Sequence, residues 1–545
     1  MTQDKQVRPP WFNPATPGRE DCVLPCLVDK WAAAHPDKDF IRFEDGATWT
    51  WAEAREIGLR TAAALQKRGV KAGDTVLAWL PNGASLVRAW LGANYLGAVL
   101  VPINLSYKGR LLEHVIKTSK AKLMISHPAL VERLGIVDRG TLERVIVDAP
   151  QLPAVDVGLP VESREALDGD AKSVDLSYQP QIWDTMVIIF TSGTTGPSKA
   201  VPATYLHQWT TGQISYGYMR PDDRILINLP IYHVGGTSSF MAAAASGGSI
   251  ALFDAFNTKD FWGQLRATGS TTISGLIGAM TTFLSKNEPH PSDADNPLRI
   301  CTLAPVNDDT IALGKRYGFD YVSGFNMTEL SCPLITDVNV KVKYSCGRPR
   351  SGVQCRIVDD NDIEVPHGTV GEFIVRSDRP WDQITAYFGN AEATAIAWRN
   401  GWFHTGDLMY RNEDGDFFFV DRKKDAIRRR GENISSLEVE ADVASYPAVR
   451  EVAAYGVPSA NGEEEVMITI AAKEGQTVDP RALIEFLVPR MAHYMVPRYV
   501  RTEPELPKTP TNKIQKADLR REGVTKATWD REAAGIVLKR DKLNK

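Results

Sequence analysis

The chain has 545 residues, 43% hydrophobic and 24% charged, with a net charge of −4. This length exceeds one ordinary domain, so we expect several domains or subdomains. The balanced charge argues against a nucleic-acid-binding protein, whose phosphate partner requires concentrated Lys and Arg. The N-terminus lacks the pattern of a signal peptide, and polar residues interrupt every long apolar run, so we expect no membrane span and a cytoplasmic protein. Six scattered cysteines indicate free thiols.

The first half of the chain predicts alternating helices and strands. Thr50 and Glu53 have the spacing of a capping box, and the amphipathic stretch after them predicts a helix over 51–68. Strand-length apolar runs flank a second helical stretch at 84–97. Strands that alternate with helices predict parallel sheets covered on both faces, so the fold class is α/β. The same pattern continues with strands at 185–190, 224–230 and 248–253 and helices at 205–218 and 260–268.

The pattern changes in the second half. Short strands with turn residues follow Val353 and predict a small β-rich subdomain. A run of charges then precedes a compact α+β stretch of about 120 residues. We therefore expect a large N-terminal domain over residues 1–423, with parallel-sheet α/β subdomains and the β-rich subdomain, and a small C-terminal domain over 424–545.

The stretch IIFTSGTTGPSKAV, residues 188–201, joins an apolar strand to glycines, hydroxyls and a lysine. Backbone N–H groups and hydroxyls that converge after a strand bind an anion, and a lysine neutralises it, so phosphate is the expected ligand. The glycine-to-lysine spacing differs from that of the Walker loop. A flexible linker would have polar flanks, whereas an apolar strand precedes this stretch. The expected phosphate-binding residues are Thr191, Ser192, Gly193, Thr194, Thr195, Gly196 and Lys199.

TSGTTGPSK resembles the phosphate loop of the adenylate-forming superfamily, which includes acyl-CoA and aryl-CoA synthetases, peptide-synthetase adenylation domains and luciferases. Five more motifs resemble that superfamily in the same order along nearly the whole chain. WFHTGD, FVDRKKD and GENIS are most similar to carnitine/crotonobetaine-type and fatty-acid-type CoA ligases. The five further motifs are LPIYHVGG (229–236), GFNMTE (324–329), GWFHTGDL (401–408), VDRKKDAIRRRGENIS (420–435) and PKTPTNKI (507–514).

The resemblance implies a reaction in two halves. A carboxylate attacks the α-phosphate of ATP to give an acyl-adenylate and pyrophosphate, and the thiol of coenzyme A then displaces AMP. Such chemistry depends on positioned cations, because negative charge builds on phosphoryl oxygens. The implied substrates and cofactors are a small carboxylic acid, ATP, Mg²⁺ and coenzyme A. The identity of the acid stays open, and a homodimer is one of the assemblies that the resemblance allows.

The resemblance also implies roles for single residues. Lys513 matches the catalytic lysine that bridges the carboxylate and the α-phosphate, although Asn512 replaces the usual glycine before it. Glu329 matches the carboxylate that holds Mg²⁺, and Thr328 donates a hydroxyl to phosphate. His233 matches an aromatic position that gates the acyl pocket, whereas a lone histidine elsewhere is more often a core residue.

The nucleoside contacts are expected from three motifs. Phe325 matches a ring that packs on adenine, and Asp407 matches the carboxylate that accepts both ribose hydroxyls. Without the ordered motifs, Asp407 and Arg422 would each be interpreted as a turn or surface charge. The other expected AMP-binding residues are Ala304, Pro305, Asn326, Met327 and Arg422.

The C-terminal domain is expected to move between the half-reactions, with Lys424 at the hinge. After the movement, the loop 428–435 faces the site and helps to form the channel for the pantetheine thiol. Glycines in SGLIGAM are interpreted either as space for a bulky acid or as helix-sheet packing. The expected channel residues are Arg430, Gly431, Glu432 and Asn433, and the expected acyl-pocket residues are Val234, Gly235, Ser239, Gly275 and Gly278.

Two alternatives remain open beside the acid–CoA ligase. The first is a stand-alone adenylation enzyme that loads a carrier-protein pantetheine. The segment YHVGGTSS lacks the aspartate that amino-acid-selecting members use, and no carrier domain follows Lys513, so a free non-amino acid and coenzyme A are favoured. The second is an inactive nucleotide-binding regulatory protein. That alternative predicts the loss of charged site residues, and all of them are present.

Overall fold

A computed structural model describes residues 9–154, 156–191, 198–277, 279–422, 426–429, 432–459, 463–508, 514 and 516–538. The predicted alternation of helices and strands is confirmed. The capping box forms, because Glu53 N donates to Thr50 Oγ1 at 3.2 Å and Thr50 N donates to the Glu53 carboxylate at 2.8 Å. The elements up to residue 252 are α1 (Leu24–Ala34), β1 (Asp39–Phe43), β2 (Thr48–Thr50), α2 (Trp51–Lys67), β3 (Thr75–Trp79), α3 (Ala84–Tyr95), β4 (Val99–Pro102), α4 (Gly109–Ser119), β5 (Leu123–Ser126), β6 (Arg144–Val147), β7 (Val161–Glu162), β8 (Thr185–Thr191), β9 (Lys199–Thr204), α5 (Tyr205–Tyr216), β10 (Arg224–Ile227), α6 (Val234–Ser246) and β11 (Ser249–Leu252).

The next region carries the rest of the parallel strands and the β-rich subdomain. The strands after Val353 pair antiparallel, and the alternating burial over 353–356 is typical of an antiparallel sheet with one solvated face. Its elements are α7 (Phe261–Thr268), β12 (Thr272–Ile273), β13 (Leu276–Ile277), α8 (Ala279–Ser285), β14 (Ile300–Ala304), α9 (Asp308–Tyr317), β15 (Asp320–Val322), β16 (Gly324–Phe325), β17 (Leu334–Ile335), β18 (Arg348–Pro349), β19 (Val353–Val358), β20 (Gly371–Ser377), α10 (Ala391–Ala397), β21 (Trp398–Arg399), β22 (Trp402–Arg411) and β23 (Phe417–Arg422).

The C-terminal unit is α+β, as the sequence predicts. β26 and β27 form a long antiparallel pair, β27 pairs parallel with β28, and β24 and β25 form a separate two-stranded hairpin. The boundary predicted at Lys424 lies outside the described residues. The elements of this unit are β24 (Ala426–Arg429), β25 (Glu432–Ser435), α11 (Ser436–Ala444), β26 (Val449–Pro458), β27 (Glu464–Ala472), α12 (Pro480–Leu487), β28 (Tyr499–Thr502), α13 (Lys516–Glu522) and β29 (Trp529–Asp530).

Three sheets with parallel strands organise the N-terminal region. The largest has the order β7-β6-β5-β3-β4-β8-β9, the second β12-β10-β11-β1-β2, and the third β13-β14-β15. Among the described residues of these sheets, the β8–β9 and β1–β2 pairs are antiparallel and the other pairs are parallel. The carboxyl end of β8 leads into the predicted phosphate loop, and that of β10 leads towards His233. The carboxyl end of β13 leads into a predicted acyl-pocket segment, and that of β14 leads into a predicted adenine-binding segment. Ligands of open α/β sheets bind at such ends.

The strand β9 was not predicted from the sequence, which indicated a strand, a loop and then a helix. Instead, the chain returns after the loop and pairs antiparallel with β8, so that Lys199 lies opposite Thr191. Pro202 explains why the sequence signal is weak, since proline removes a hydrogen-bond donor from a strand. It is tolerated here because β9 is the edge strand of its sheet. The strands on either side of the predicted phosphate loop therefore form a hairpin, which we call the phosphate hairpin.

The C-terminal unit packs against the N-terminal region. One cluster of buried side chains includes Tyr107 and Tyr232 from the N-terminal region and Ile434 and Tyr494 from the C-terminal unit. Asn104 Nδ2 also donates to Tyr494 Oη at 3.1 Å. None of the helices in the described part of the chain combines the length and apolarity that a membrane crossing requires.

Candidate active site

The hairpin β8–β9 places the ends of the predicted phosphate loop at the edge of the largest sheet. Residues 192–197, with five of the predicted phosphate-binding residues, lie outside the described residues. Thr191 Oγ1 donates to the Lys199 carbonyl at 3.5 Å, so the two strands close at the base of the turn. Ser198 is held from two sides: its N–H donates to Glu438 Oε1 at 2.8 Å, and its carbonyl accepts from His114 Nε2 at 2.7 Å.

Lys199 and Glu329 are brought together through Tyr387. The Lys199 ammonium lies 4.6 Å from the centroid of the Tyr387 ring, within the range of a cation–π contact. The Tyr387 hydroxyl donates to Glu329 Oε1 at 2.9 Å. Glu329 and Tyr387 are 6% and 5% exposed, so both contacts act in a region of low dielectric, where they are stronger than in water. We call these three residues the Lys–Tyr–Glu cluster.

The segment 384–388 holds the cluster in place through the backbone. Ile384 N donates to the Glu329 carbonyl at 3.1 Å, and Phe388 N donates to the Ala200 carbonyl at 2.9 Å. The chain between β20 and α10 thus bridges β9 and the loop that carries Glu329. Tyr387 was missed in the sequence analysis. Its own signal is weak, because an aromatic residue in a turn before a helix has many structural uses.

The predicted adenine-binding residues lie on neighbouring strands. Ala304 ends β14, and the half-exposed pair Asn326 and Met327 follows β16. Phe325 is 9% exposed and meets Phe373 edge to face at 5.5 Å, so its ring position is fixed by packing. Asn326 Oδ1 accepts from Cys332 N at 2.7 Å, which closes the turn over 326–332 that contains Thr328. Because β14 and β15 are parallel, Ala304 and the segment after Val322 share one sheet edge.

The two predicted ribose-binding residues lie on paired strands. Asp407 on β22 lies directly opposite Arg422 on β23. Asp407 is 1% exposed, and its N–H donates to Thr405 Oγ1 at 3.1 Å. Gly406 before it has φ of 71°, a left-handed conformation that favours glycine and turns the strand at this point. The carboxylate is therefore set in a rigid antiparallel sheet.

The hairpin β24–β25 reaches from the C-terminal unit to His233. His233 Nε2 lies 3.4 Å from Glu432 Oε2, and the ring of Tyr232 contacts the imidazole edge to face at 4.7 Å. His233 is also the N-cap residue of α6. Of the predicted channel residues, Glu432 and the backbone of Asn433 are described, whereas residues 430 and 431 are not. The predicted gate and the predicted channel therefore meet at one contact between the two units.

Helix α11 makes two more contacts across the same boundary. Arg110 Nε donates to Asp442 Oδ1 at 2.9 Å, and Glu438 accepts the Ser198 N–H described above. Burial raises the pKa of Glu438 to about 7 and also raises the pKa of Asp442, whereas Arg110 acts to lower the latter. Ser198, which directly precedes β9, is thus bound by the C-terminal unit.

Lys513 lies outside the described residues, and its flanks belong to the C-terminal unit. Lys508 and Ile514 form an isolated backbone bridge. Lys508 Nζ pairs with Glu451 of β26 at 2.5 Å, and Ile514 packs against a buried cluster that includes Tyr455. In this arrangement, the hairpin β24–β25 contacts the predicted acyl gate, while the flanks of the predicted catalytic lysine contact β26.

The predicted acyl-pocket residues lie on α6 and after β12. Val234 and Gly235 begin α6, and Ser239 Oγ donates to the Gly235 carbonyl at 2.7 Å. Gly275 has φ of 134°, which favours glycine, and Gly278 lies outside the described residues. Ser274, directly before Gly275, accepts at its carbonyl from Tyr216 Oη at 2.5 Å. The end of α5 thus contacts one of the two predicted pocket segments.

Two family models match the chain. The AMP-binding enzyme model covers residues 28–381, and the model of the AMP-binding enzyme C-terminal domain covers residues 438–513. The chain belongs to the AMP-binding enzyme family. This assignment confirms the superfamily resemblance and places the phosphate hairpin and the Lys–Tyr–Glu cluster largely within the first match.

This AMP-binding enzyme is similar to named proteins over nearly its whole length. It is 29% identical over 513 residues to a crotonobetaine/carnitine–CoA ligase of Salmonella paratyphi A, covering 91% of this chain and 98% of the relative. A double mutant of the o-succinylbenzoate CoA synthetase of Bacillus subtilis, bound to its product analogue OSB-NCoA, matches with a TM-score of 0.78 at 23% identity, covering 91% and 98% of the two chains. The same synthetase in complex with AMP matches with a TM-score of 0.62 at 23% identity, covering 91% and 97%. These likenesses confirm the fold.

Proposed function

We propose that the protein is an ATP-dependent, AMP-forming acid–CoA ligase. The observation that carries this proposal is the Lys–Tyr–Glu cluster, which sets an ammonium and a carboxylate beside the phosphate hairpin. An ammonium next to a phosphate loop neutralises phosphoryl charge, and a buried carboxylate in the same place suits a divalent cation. The similarity to a CoA ligase over nearly the full chain supports coenzyme A as the acceptor.

In the first half-reaction, the acid's carboxylate oxygen attacks the α-phosphorus of ATP, and the bond to the pyrophosphate oxygen breaks. The products are an acyl-adenylate and pyrophosphate. Lys199 and the phosphate hairpin bind the phosphates, Asp407 and Arg422 bind the ribose, and Phe325 with Ala304 encloses adenine. Lys513 bridges the carboxylate and the α-phosphate, where its positive charge stabilises the transition state.

Magnesium fits this site through Glu329. Within the described residues, no group of three or more ligating side chains could hold a metal. Glu329 would instead hold Mg²⁺ together with the phosphates of ATP, in the way that Mg²⁺ is often bound by one carboxylate and substrate oxygens. The Tyr387 hydroxyl donates a hydrogen bond to Oε1 of Glu329 and so orients the carboxylate. The metal supplies neutralisation of phosphate charge.

In the second half-reaction, the thiol sulfur of coenzyme A attacks the acyl carbon, AMP leaves, and the thiol proton passes to solvent. The observed arrangement suits this step, because the hairpin β24–β25 contacts His233 at the proposed acyl gate. The higher TM-score to the synthetase holding a CoA product analogue than to its AMP complex, at equal identity, supports the same interpretation. Rotation about Lys424 would then bring Lys513 to ATP for the first half-reaction.

The test is a screen of pyrophosphate–ATP exchange over short, long, aromatic and steroid-like acids and betaines, each followed by mass detection of the acyl-CoA. Exchange that depends on an acid, together with an acyl-CoA product, is the expected result. Exchange without acyl-CoA would favour transfer to a carrier-protein pantetheine, and the absence of exchange with every acid would refute the proposal. A cytoplasmic location follows from the use of ATP and coenzyme A, and the homodimer stays a prediction for light scattering.

A further inference from the structure

Gln208 on α5 is a buried amide that the fold leaves unused. The side chain is 0% exposed, and neither Oε1 nor Nε2 has a hydrogen-bond partner among the described residues. Buried polar groups in native proteins nearly always have a partner, and an unpaired one destabilises the fold, so such a group calls for a bound molecule.

Helices α5 and α6 run parallel with their ends aligned. A Cβ added at Gly212 would lie 2.8 Å from the Ser238 carbonyl oxygen, so the two helices touch at this point. Further along, Gln213 and Tyr216 of α5 line the same surface pocket as Ala245 of α6. Residues four apart share one helix face. Gln208 therefore lies one turn before Gly212, opposite the first turn of α6, which follows His233.

The other neighbour of Gln208 is the loop that carries Glu329. His207 Nε2 donates to the Leu330 carbonyl at 2.7 Å, and this bond ties the start of α5 to the residue after Glu329. Gln208 thus lies in the turn of α5 that His207 ties to the magnesium-binding loop, and it packs along the first turn of α6, part of the proposed acyl pocket.

The side chains beside Gln208 on its face of α5 and on the first turn of α6 are uncharged, whereas the buried charges of Arg379 and Asp382 contact α5 at Thr210. Thr211 Oγ1 donates to the His207 carbonyl at 2.9 Å, and Thr237 Oγ1 donates to the Val234 carbonyl at 3.1 Å. These hydroxyls use their protons within their own helices, as buried helix hydroxyls commonly do. The first turn of α6, VGGTSS, has no charged side chain. A charged substituent would remain unpaired here at high cost, so the site suits a neutral polar group.

We propose that Gln208 is a specificity-determining residue that binds a neutral oxygen substituent, a hydroxyl or a carbonyl, on the acid. The proposal rests on the proposed function and names the substrate class: oxygen-substituted carboxylic acids. The amide offers two N–H donors and one acceptor oxygen, so it can donate to and accept from a hydroxyl, or donate to a carbonyl. A site built to hydrogen-bond a substituent discriminates against the analogue that lacks it, because the buried group then stays unpaired.

The experiment compares pairs of acids of equal length, with and without a hydroxyl or keto group at one carbon, by kcat/KM in pyrophosphate exchange. Wild-type protein is expected to prefer the substituted member of the best pair by about tenfold to a hundredfold. Gln208→Leu should bring this ratio close to one. Gln264→Leu is the matched control, since Gln264 is also buried with an unpaired Oε1 but lies on α7; its ratio should match wild type.

A melting measurement separates recognition from a structural role. Without substrate, Gln208→Leu and Gln208→Met should melt at or above the wild-type temperature, because each removes an unpaired buried amide. Equal ratios for wild type and Gln208→Leu, or a marked loss of thermal stability in both variants, would overturn the proposal. The absence of exchange with all acids would instead refute the ligase function, so the two failures are distinguishable.

Discussion

Two regions of the site are built in different ways. The Lys–Tyr–Glu cluster forms within the N-terminal region, where backbone hydrogen bonds from Ile384 and Phe388 fix it. The contact between His233 and Glu432 joins two units and has more exposed partners, with 40% and 22% of their side chains accessible. The contacts described for the first region lie within the N-terminal region, so we propose that it keeps its geometry for a nucleotide when the C-terminal unit moves. The second exists only in an arrangement like the one observed, so a change in each should affect a different half-reaction.

The largest effect is expected from Lys513→Ala. The lysine is proposed to act only in adenylation, so this step should fall by roughly 10²–10³-fold, as when one transition-state donor is removed. Thioester formation from supplied acyl-adenylate should change little. Lys122→Ala is the control, because Lys122 forms an exposed pair with Glu143 in the N-terminal region and should leave both rates intact. Equal losses in the two steps would contradict the assignment of Lys513 to adenylation alone.

Tyr387→Phe tests the Lys–Tyr–Glu cluster in the N-terminal region. It removes a hydrogen bond to a carboxylate, a contact of about 1.5–3 kcal/mol, while it keeps the ring against Lys199. The Mg²⁺ concentration for half-maximal adenylation should rise by about tenfold to a hundredfold. Tyr321→Phe, which removes a hydroxyl donated to the Val340 carbonyl, is the control. An unchanged magnesium requirement in Tyr387→Phe would remove Tyr387 from the metal site.

Arg110→Met tests the region formed between the two units. Asp442 would lose its cationic partner in the observed arrangement, but Arg110 is more than half exposed, so the contact contributes about 0.5–1 kcal/mol. Single-turnover thioester formation should slow by about twofold to fivefold with adenylation unchanged. Arg60→Met, which breaks an exposed pair with Asp168, serves as the control. Slower adenylation in Arg110→Met would show that the contact acts on both steps.

The smallest effect is a pH dependence from Glu438. Burial raises the pKa of Glu438 to about 7 in this arrangement, against 4.5 when exposed, so the protonated form favours the arrangement. This contribution is complete below pH 4.5 and is lost as the pH rises to about 7. Thioester formation in Glu438→Gln should therefore vary less between pH 6 and 8 than in wild type. Identical pH profiles would show that this carboxyl does not control the arrangement; the neighbouring Asp442 and Tyr107 also face it.

The sequence predicts more of the first region than of the contact between units. Lys199 was singled out from the chemistry of its loop, and Glu329 and Asp407 were singled out through the resemblance; their roles stay predictions. Tyr387 was missed because its role depends on segment 384–388 crossing between two distant loops. The helix over 205–218 was predicted, but the unpaired amide of Gln208 depends on how α5 packs on α6. The strand β9 was missed because proline is uncommon in strands, so Pro202 weakens the sequence signal of this edge strand.

The most direct test of the proposed acyl-adenylate chemistry follows the carboxylate oxygen atoms. An acid labelled with ¹⁸O in its carboxylate is incubated with the enzyme, ATP, Mg²⁺ and coenzyme A, and the products are analysed by mass spectrometry. Attack of the carboxylate on the α-phosphorus predicts one ¹⁸O atom in AMP and none in pyrophosphate for each acyl-CoA formed. Label in inorganic phosphate, with ADP as the nucleotide product, would contradict the proposed acyl-adenylate chemistry.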